Sequence, residues 1–337
     1  MIKKILYIGF QYDYGIEKNG YAINYKAWYE GFIKLGYEVE AVFYDNYSKG
    51  ELQEEVIKKA KNFNPDLIFC ILQSTQIKVL TLEVLQKHKF FTVNLFGDDH
   101  WRFDEFSSKY ANYFNACITT DKFSIGEYKL IGQKNIIKSE WASLESSIEY
   151  EKVKYLYDVS FVGGESSYRR WFVNELGARG IKVHCFGDRW DNGRVSYEEM
   201  EKIFSVTRIN LNISNSIQYD IRYLMASPRN ILNTLRGKKN KSQVKARVFE
   251  IPAQGGFELA EYVPCIEDYF DLGKEIVCYK DVDEAALLIN HYLSNSLERE
   301  SIKRAGVLKA RQQHTYIHRI KDFMKDIAIF HEAESNV

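Results

Sequence analysis

The feature that most constrains this chain is the alternation of short apolar runs with amphipathic stretches, which occurs twice along its 337 residues. The runs of strand length are KILYIGF, YEVEAVFY, PDLIFCIL, FFTVNLF and NACITT in the first half and YDVSFVGG, IKVHCFG, RINLNIS, FELAEYV and EIVCY in the second. Helical periodicity separates most of them. Apolar strands that alternate with helices are typical of parallel sheets with helices on both faces.

This alternation predicts an α/β chain with two Rossmann-like domains that face a central cleft. We place the first domain at residues 1–150 and the second at residues 151–313, because the polar segment SLESSIEYEKVKY between them lacks strong periodicity. Ligands of open parallel sheets bind outside the carboxyl ends of the strands. Two such edges would let a cleft hold two reactants.

Bulk composition limits the classes of partner. The 46 basic and 46 acidic residues cancel, so we expect no general attraction to nucleic acid, and any anion site must be local. The five cysteines form no CxxC pair, which indicates reduced thiols in a cytoplasmic protein. The first apolar run is too short for an export signal, and no window reaches the apolar length of a membrane span.

One short segment of the second half, RVFEIPAQGGF at residues 247–257, combines a carboxylate with two glycines. We predict a helix over residues 244–254 with Gly255 and Gly256 as its left-handed C-cap. Glu250 would lie near the helix start, where its carboxylate can accept hydrogen bonds from both hydroxyls of a ribose. The glycines would let a nucleotide pass close to the backbone. The alternative is a glutamate that the helix dipole favours, followed by an ordinary glycine cap.

Four segments occur in the same order as in one group of enzymes. KARVFEIPAQGGFELAEYV resembles the donor-site segment of bacterial glycosyltransferases with the GT-B fold, specifically of the spore-maturation CgeB-like group. SFVGGESSYRR is similar to the strand–loop–helix that opens the second domain of that group, NLFGDDHWRFD to its first-domain aspartate segment, and HTYIHRIKDF to its C-terminal helix. The resemblance covers nearly the whole chain.

The resemblance implies a GT-B enzyme that moves a sugar from a nucleoside-diphosphate sugar in the C-terminal domain to an acceptor hydroxyl in the N-terminal domain. The acceptor would be a glycan, a lipid-linked molecule or a protein, in the synthesis of a surface or spore glycan or glycoconjugate. The resemblance also implies that a C-terminal helix at residues 314–337 returns to the N-terminal domain. The glutamate of the FEIPA element holds the nucleotide ribose in the group, and that role passes to Glu250.

Many retaining relatives carry two glutamates separated by seven residues. The match makes Glu250 the second of them, and Ser242 stands where the first would be. The motif therefore does not predict the stereochemistry of the transfer.

The resemblance implies no metal cofactor, because GT-B enzymes are expected to stabilise the departing diphosphate with basic side chains and helix N-termini. Gly163 and Gly164 end a predicted strand and lead into a helix that carries Arg169 and Arg170. The N–H groups of these glycines could face a phosphate, and Arg169 fits the arginine position of the group. The alternative for the two arginines is a solvated helix face.

More positive charge lies between residues 221 and 249, where eight residues are basic and none is acidic. Lys245 and Arg247 come just before Glu250, and we predict that they form a second phosphate clamp. A further interpretation is that the basic loop GKKNKS at residues 237–242 contacts anionic lipid headgroups, which would place the protein at the inner face of a membrane.

The segment HCFGDRW follows another predicted strand of the second domain. Gly187, Asp188 and Trp190 could line a nucleobase pocket there. The alternative is a polar turn with a packing tryptophan.

In NLFGDDHWRFD, the residues Asp98, Asp99 and His100 follow the fourth predicted strand. An inverting transferase needs a base for the acceptor hydroxyl at this edge. Asp99 is the first choice, with Asp98 or His100 as substitutes. Adjacent carboxylates point in different directions, so we expect only one of the two aspartates to face the substrate. In a retaining enzyme these residues would only position the acceptor. The structural alternative is a turn with a helix N-cap.

The loop after the first strand, QYDYGIEKNGYAIN, lacks the GxGxxG fingerprint of dinucleotide-binding proteins. It could close over the donor phosphates or shape the acceptor pocket. Its candidate residues are Tyr12, Asp13, Gly15 and Asn19.

Three other functions compete with glycosyl transfer by a GT-B enzyme. A nucleotide-sugar epimerase of the same fold would convert the donor without an acceptor, and a non-catalytic partner in a glycan-assembly complex would bind nucleotide weakly. A metal-dependent GT-A transferase would lose activity with a chelator. The last is disfavoured because it would not need a second Rossmann-like half, and no His, Cys and Asp cluster has zinc-like spacing.

Overall fold

The structure is a computed structural model that describes residues 2–151, 153–214, 219–237 and 241–335. The chain divides into two compact units, of which the first is Met1–Trp141 together with Tyr316–Val337 and the second is Ala142–Thr315. The sequence predicts boundaries after residues 150 and 313, close to these divisions.

The first unit is built on a six-stranded sheet with the order β2-β1-β3-β4-β5-β6, in which every neighbouring pair is parallel. Its strands are β1 (Lys4–Gly9), β2 (Glu38–Phe43), β3 (Leu67–Cys70), β4 (Thr92–Phe96), β5 (Ala116–Thr119) and β6 (Ile136–Lys138). The central strands β3 and β4 are buried along their whole length, and their residues are apolar except for Thr92 and Asn94 of β4. The edge strand β6 has three residues, and no apolar run predicts it.

Most connections in this unit contain helices. They are α1 (Glu30–Lys34), α2 (Lys49–Phe63), α3 (Val79–Lys87), α4 (Asp99–Arg102), α5 (Ser108–Tyr110) and α6 (Ser124–Leu130). The longest, α2, begins with a capping interaction in which the Glu51 carboxylate accepts a hydrogen bond from the Ser48 N–H at 3.1 Å. Its residues Leu52, Val56 and Ala60 recur at helical spacing and are buried in the core.

The second unit contains a five-stranded parallel sheet with the order β11-β10-β9-β7-β8. Its strands are β7 (Tyr157–Val162), β8 (His184–Phe186), β9 (Thr207–Asn212), β10 (Glu258–Glu261) and β11 (Val277–Tyr279). The prediction of two Rossmann-like α/β domains is confirmed, because both units are parallel sheets most of whose strands are connected through helices.

The helices of the second unit are α7 (Ser167–Ala178), α8 (Tyr197–Ser205), α9 (Ile221–Ala226), α10 (Pro228–Arg236), α11 (Arg247–Ala253), α12 (Val282–Ser294) and α13 (Ser296–Gln313). The core of this unit joins the sheet to α7 and α12 through Phe172, Leu211 and Ile289, which are all fully buried or nearly so. These contacts fix the carboxyl ends of β7 and β9, where several candidate residues lie.

The last helix, α14 (Tyr316–Ser335), belongs to the first unit, as the resemblance to GT-B enzymes implies. Phe323 stacks on Phe69 of β3 with ring centroids 5.7 Å apart, and Tyr316 meets the edge of Trp28 at 4.8 Å. Aromatic pairs of this kind add to the stabilisation that burial provides.

No helix within the described ranges is long and apolar enough to cross a membrane. All five cysteines are free thiols, and Cys70, Cys117 and Cys185 are buried.

Candidate functional site

Arg169 joins the carboxyl ends of β7 and β9. It lies in the first turn of α7, where Ser166 caps the helix and accepts a hydrogen bond from the Arg169 backbone N–H. The guanidinium donates to the carbonyls of Gly164 (2.8 Å), Ile213 (3.1 Å) and Ser214 (3.3 Å). Burial lowers the pKa of Arg169 to about 10, so the group stays charged at neutral pH. A fixed positive charge therefore lies at the strand ends of the second unit.

A second cation converges on the same point. Lys245 Nζ lies 3.3 Å from the Ser214 carbonyl oxygen, which also accepts from Arg169. The positive charge of Arg247 acts on Arg169 as well, since it contributes to the lowered pKa of that guanidinium. Three basic side chains near one backbone segment repel one another, and an anion between them would relieve that repulsion.

Arg247 and Glu250 form an ion pair at the start of α11, with Arg247 Nη1 and Glu250 Oε2 2.6 Å apart. The carboxylate is buried and the guanidinium mostly so. Burial raises the pKa of Glu250, and the charge of Arg247 opposes that rise. Glu250 thus lies at the helix start as the sequence predicts, but its Oε2 is bound to the arginine that we assigned to the phosphate.

Arg170 is the less suitable of the two adjacent arginines. Its guanidinium makes a two-point ion pair with Glu165 (2.7 and 2.8 Å) and lies over the ring of Trp190. Because its charge is compensated on an exposed surface, the geometry favours the alternative of a solvated face.

Gly187 and Trp190 lie in the turn after β8, which packs against the loop after β7, and they do not form a base-stacking platform. Trp190 Nε1 donates to the Gly163 carbonyl at 2.9 Å, and Arg170 covers one face of the buried indole. Gly187 has φ +131°, and a side chain there would collide with the Gly163 carbonyl at 2.3 Å. The nucleobase prediction is therefore corrected to the alternative of a polar turn with a packing tryptophan.

The two glycines of the β7 loop differ in their surroundings. The N–H of Gly163 donates to the Phe186 carbonyl at 2.8 Å, so it is not available to a phosphate. A Cβ on Gly164 would meet no atom within 4 Å, so only this glycine borders open space. Of the two glycines, only Gly164 therefore remains a candidate whose backbone N–H could face a phosphate.

Gly255 and Gly256 form the C-cap of α11, as predicted. Their second predicted role, which was to let a nucleotide pass close to the backbone, is corrected. The N–H groups of Gly255 and Gly256 donate to the Pro252 and Ile251 carbonyls, and Gly255 has φ +85°. A Cβ on Gly255 would lie 2.5 Å from Tyr150. The space beside these glycines is filled by protein atoms, and they lie at the opposite end of α11 from Glu250.

No site role was predicted for the two buried glutamates of β10, because FELAEYV predicts only a strand. Glu258 Oε1 accepts from Asn212 at 2.8 Å, and burial raises the pKa of Glu258 to about 8. Glu261, at the carboxyl end of β10, lies close enough to Arg169 for its charge to raise the pKa of that guanidinium. Charged residues inside a strand of a buried sheet are unusual, and that is the signal that could have found them.

A cavity of about 400 Å³ lies at the carboxyl ends of β1, β3 and β4 in the first unit. Its walls combine three charged side chains, Asp13, Asp98 and Arg102, with the aromatic rings of Tyr14 and Trp141. Trp141 packs over Gly97, where a Cβ would approach the ring to 2.5 Å. Such a mixture of polar groups and aromatic faces suits a small polar ligand.

Asp98 lines this cavity, whereas Asp99 does not. Asp98 is exposed, but the buried Asp99 carboxylate accepts hydrogen bonds from the hydroxyls of Ser107 (2.5 Å), Thr119 (2.6 Å) and Tyr128 (2.8 Å). Burial raises the pKa of Asp99 to about 6 against the effect of these three donors. The order of preference for the acceptor base is therefore corrected, with Asp98 before Asp99.

His100 is also buried and is not among the residues that line the cavity. As a substitute base it is therefore less well placed than Asp98.

The loop after β1 contributes Asp13 to the cavity wall, and the other predicted loop residues shape the loop. Asn19 Nδ2 donates to the Asp13 carbonyl at 3.1 Å, and Gly15 adopts φ +71°. The ring of Tyr12 stacks on Tyr21 with centroids 5.4 Å apart. Of the four candidates, only Asp13 is among the residues that line the cavity.

Within the described part of the chain, no group of three or more His, Cys, Asp or Glu side chains is arranged to hold a metal ion. Lys238 and Lys239, in the predicted basic loop at residues 237–242, lie outside the described residues.

A family match covers most of the second unit and the first half of α14. Residues 169–325 match the family model described as glycosyl transferase-like, and the match begins at Arg169 and includes Lys245 and Glu250. A search of curated proteins finds no match.

Three solved structures resemble nearly the whole chain. A glycosyltransferase from Rickettsia africae is 10% identical with a TM-score of 0.64, and the match covers 98% of both chains. HepE from Anabaena, in complex with UDP and glucose, is 10% identical with a TM-score of 0.62 over 97% of this chain and 100% of the other. Sucrose-phosphate synthase from Thermosynechococcus elongatus is 8% identical with a TM-score of 0.61 over 97% and 99%.

At such low identity these likenesses establish the fold, which is GT-B. The family match over residues 169–325 and this fold together show that the protein is a glycosyltransferase of the GT-B type.

Proposed function

We propose that the enzyme takes a sugar from a nucleoside-diphosphate sugar held at the strand ends of the second unit and transfers it to a hydroxyl of an acceptor held in the cavity of the first unit. The observation that carries this proposal is the convergence of Arg169 and Lys245 on the Ser214 carbonyl, beside the Arg247–Glu250 pair. All four side chains lie within the family-matched segment.

The basic cluster supplies what the leaving group needs. Negative charge grows on the nucleoside diphosphate as the glycosidic bond breaks, and cations placed beforehand stabilise that charge. Arg169, Lys245 and Arg247 supply three positive charges, against the nearby carboxylates of Glu250 and Glu261. The positive charges outnumber the nearby negative ones, and this excess supports transfer without a divalent metal.

Glu250 and Arg247 would exchange partners when the donor binds. The two ribose hydroxyls would donate to the Glu250 carboxylate in place of Arg247, and the released guanidinium would turn toward the diphosphate. The ion pair at 2.6 Å in the first turn of α11 supports this exchange, since Arg247 already occupies the buried carboxylate that the ribose hydroxyls would approach.

Asp98 is the best-placed group to accept the acceptor proton. It is exposed in the wall of a cavity that also presents Trp141 and Tyr14, whose rings suit the faces of a sugar. Asp13 and Arg102 would bind further polar groups of the acceptor. We therefore propose a glycan, lipid-linked or protein acceptor that presents a sugar or another small polar group.

Comparison with GT-B enzymes solved with ligands supports a uridine nucleotide as the first donor to test. HepE was solved with UDP-glucose, and a pneumococcal O-GlcNAc transferase was solved with UDP and GlcNAc. The CgeB-like resemblance further supports a role in surface or spore glycan synthesis. Free thiols at all five cysteines support a cytoplasmic location, where a lipid-linked acceptor would bring the enzyme to the inner face of the membrane.

A thermal-shift panel tests the donor directly. UDP, GDP, ADP, CDP and dTDP, and then the matching sugars, are added with and without EDTA. A ligand at a hundred times its Kd stabilises the folded protein by about 2.7 kcal/mol, so the correct base should stand out. A shift that requires metal would contradict the metal-free assignment, and the absence of any shift would favour a non-catalytic partner. Conversion of the donor to a sugar isomer without an acceptor would indicate an epimerase.

A further inference from the structure

Helix α10 turns its polar side chains toward the protein and its apolar side chains outward, which is the reverse of an ordinary surface helix. Its polar residues face the protein: Asn230 Nδ2 donates to the Tyr223 carbonyl at 2.9 Å, Asn233 Nδ2 donates to Ser167 Oγ at 3.0 Å, and Thr234 is buried. A surface helix of a soluble protein normally buries its apolar face and exposes its polar one. The apolar side chains of α10 must therefore face outward.

Helices α9 and α10 contact each other, and we call their exposed apolar side chains together the α9–α10 face. It consists of Ile221, Met225, Ile231, Leu232 and Leu235. Met225 and Leu235 are the most exposed, at 79% and 77%, and Ile221 follows at 68%. Single exposed apolar residues are common, but five on two adjacent short helices indicate a surface that another body covers.

Basic side chains flank this face. Arg229 and Arg236 are exposed at the two ends of α10, and no carboxylate among the described residues pairs with either. Arg222 of α9, by contrast, is neutralised by Asp220 and Asp283. No acidic residue occurs from position 221 to position 249. The α9–α10 face is thus apolar at its centre and positive at its ends.

We propose that the α9–α10 face binds the surface of an anionic lipid bilayer. Apolar side chains would enter the headgroup region, and the two arginines would remain at the level of the lipid phosphates. A second copy of the chain fits less well, because a symmetric contact would bring the same arginines of both copies together. The occupant that satisfies both the apolar surface and the positive charge is an anionic membrane.

Vesicle sedimentation tests this proposal with readouts that do not depend on sugar transfer. The full chain is mixed with vesicles of phosphatidylcholine alone or with added phosphatidylglycerol. Each basic side chain near an anionic surface contributes a factor of about five in partitioning, so Arg229→Ser with Arg236→Ser should weaken binding about 25-fold. The matched control, Lys182→Ser with Lys274→Ser, removes the same charge from exposed positions elsewhere in the second unit and should have little effect.

The apolar contribution has its own pair of variants. Met225→Glu with Leu235→Glu should weaken vesicle binding on the order of 100-fold. The control, Leu287→Glu with Leu297→Glu, alters side chains that are 72% and 89% exposed on other helices and should bind like the wild type.

Three results would overturn the proposal. They are equal binding to neutral and anionic vesicles, equal loss in the test and control variants, and a dimer that Met225→Glu with Leu235→Glu dissociates. Circular dichroism and Tm confirm that each variant folds. If vesicle binding is lost while UDP binding persists, the membrane surface is supported independently of the nucleotide site.

Discussion

The buried carboxyl of Glu258 gives a prediction whose size follows from the structure. Its pKa is about 8, against an ordinary value of 4.5, because burial beneath α11 disfavours the charged form. Below pH 4.5 the group is protonated in both the folded and the unfolded chain and costs nothing. As the pH rises toward 8, the unfolded chain ionises first, so the folded state loses stability by about 1.4 kcal/mol per pH unit. The total loss is about 5 kcal/mol by pH 8, and it then stays constant.

Glu258→Gln removes this loss, because the amide is a neutral mimic of the protonated acid. An amide N–H without an acceptor adds a cost of about 1–3 kcal/mol, but that cost does not depend on pH. The stability of the variant relative to the wild type should therefore increase by about 5 kcal/mol between pH 4.5 and pH 8.

Urea denaturation from pH 4.5 to pH 9 measures the difference. A short deuterium pulse at fixed pH, with mass spectrometry of peptides from β9 and β10, reports unfolding of the second unit alone. Asp191→Asn serves as the control, since it removes an exposed carboxylate from the same unit. If the difference in the free energy of unfolding between the wild type and Glu258→Gln stays constant with pH, the assignment of Glu258 as a neutral buried acid at pH 7 is refuted.

Three further predictions concern catalysis. Arg169→Ala should lower kcat about 100-fold and weaken UDP binding less than tenfold, because we propose that its charge stabilises the departing diphosphate; steady-state kinetics with calorimetry checks this, and a loss confined to binding would contradict it. Asp98→Asn should lower kcat by about 10²–10⁴-fold, as expected for loss of a general base, whereas Asp99→Asn should change Tm more than kcat; the reverse pattern would restore Asp99 as the base. Excess EDTA should leave the transfer rate unchanged, and loss of activity that Mn²⁺ or Mg²⁺ restores would contradict the metal-free site.

The fold could be predicted from the sequence because strands buried on both faces must be almost entirely apolar. Ten strands were predicted from short apolar runs, although β2 and β10 each contain two glutamates. β6, at Ile136–Lys138, escapes because a three-residue edge strand leaves too short a signal. The pairing of α14 with the first unit came from the family resemblance, since no local pattern shows where a terminal helix packs.

The candidate site could be predicted only to the extent that the carboxyl ends of the predicted strands mark the ligand-binding edge of each sheet. Arg169 and Glu250 came from the family resemblance together with their predicted places near strand ends, and Lys245 came from the basic run just before Glu250. The choice between Asp98 and Asp99 does not follow from the strand ends, because it depends on three hydroxyls from distant segments, Ser107, Thr119 and Tyr128, that hold Asp99 inside.

The roles of the glycines also could not be predicted from the neighbouring residues in the sequence. Gly187 is required by the carbonyl of Gly163, and Gly256 by the side chain of Asn210, and both neighbours come from other strands or loops. A glycine next to a candidate residue predicts a tight backbone, but the sequence alone does not reveal whether ligand or protein fills the space.

Calorimetric titration of UDP at pH 7 into the wild type, Glu250→Gln and Glu258→Gln tests the nucleotide site most directly, with the other nucleoside diphosphates in its place if the thermal-shift panel selects one of them. Both substitutions change a buried glutamate in the same unit, but only Glu250 is proposed to meet the ribose. Replacing charge-assisted hydrogen bonds by neutral ones should weaken binding about 10- to 100-fold in Glu250→Gln and leave Glu258→Gln equal to the wild type. Equal affinity in all three proteins, or no binding of any nucleoside diphosphate by the wild type, would contradict the proposed site.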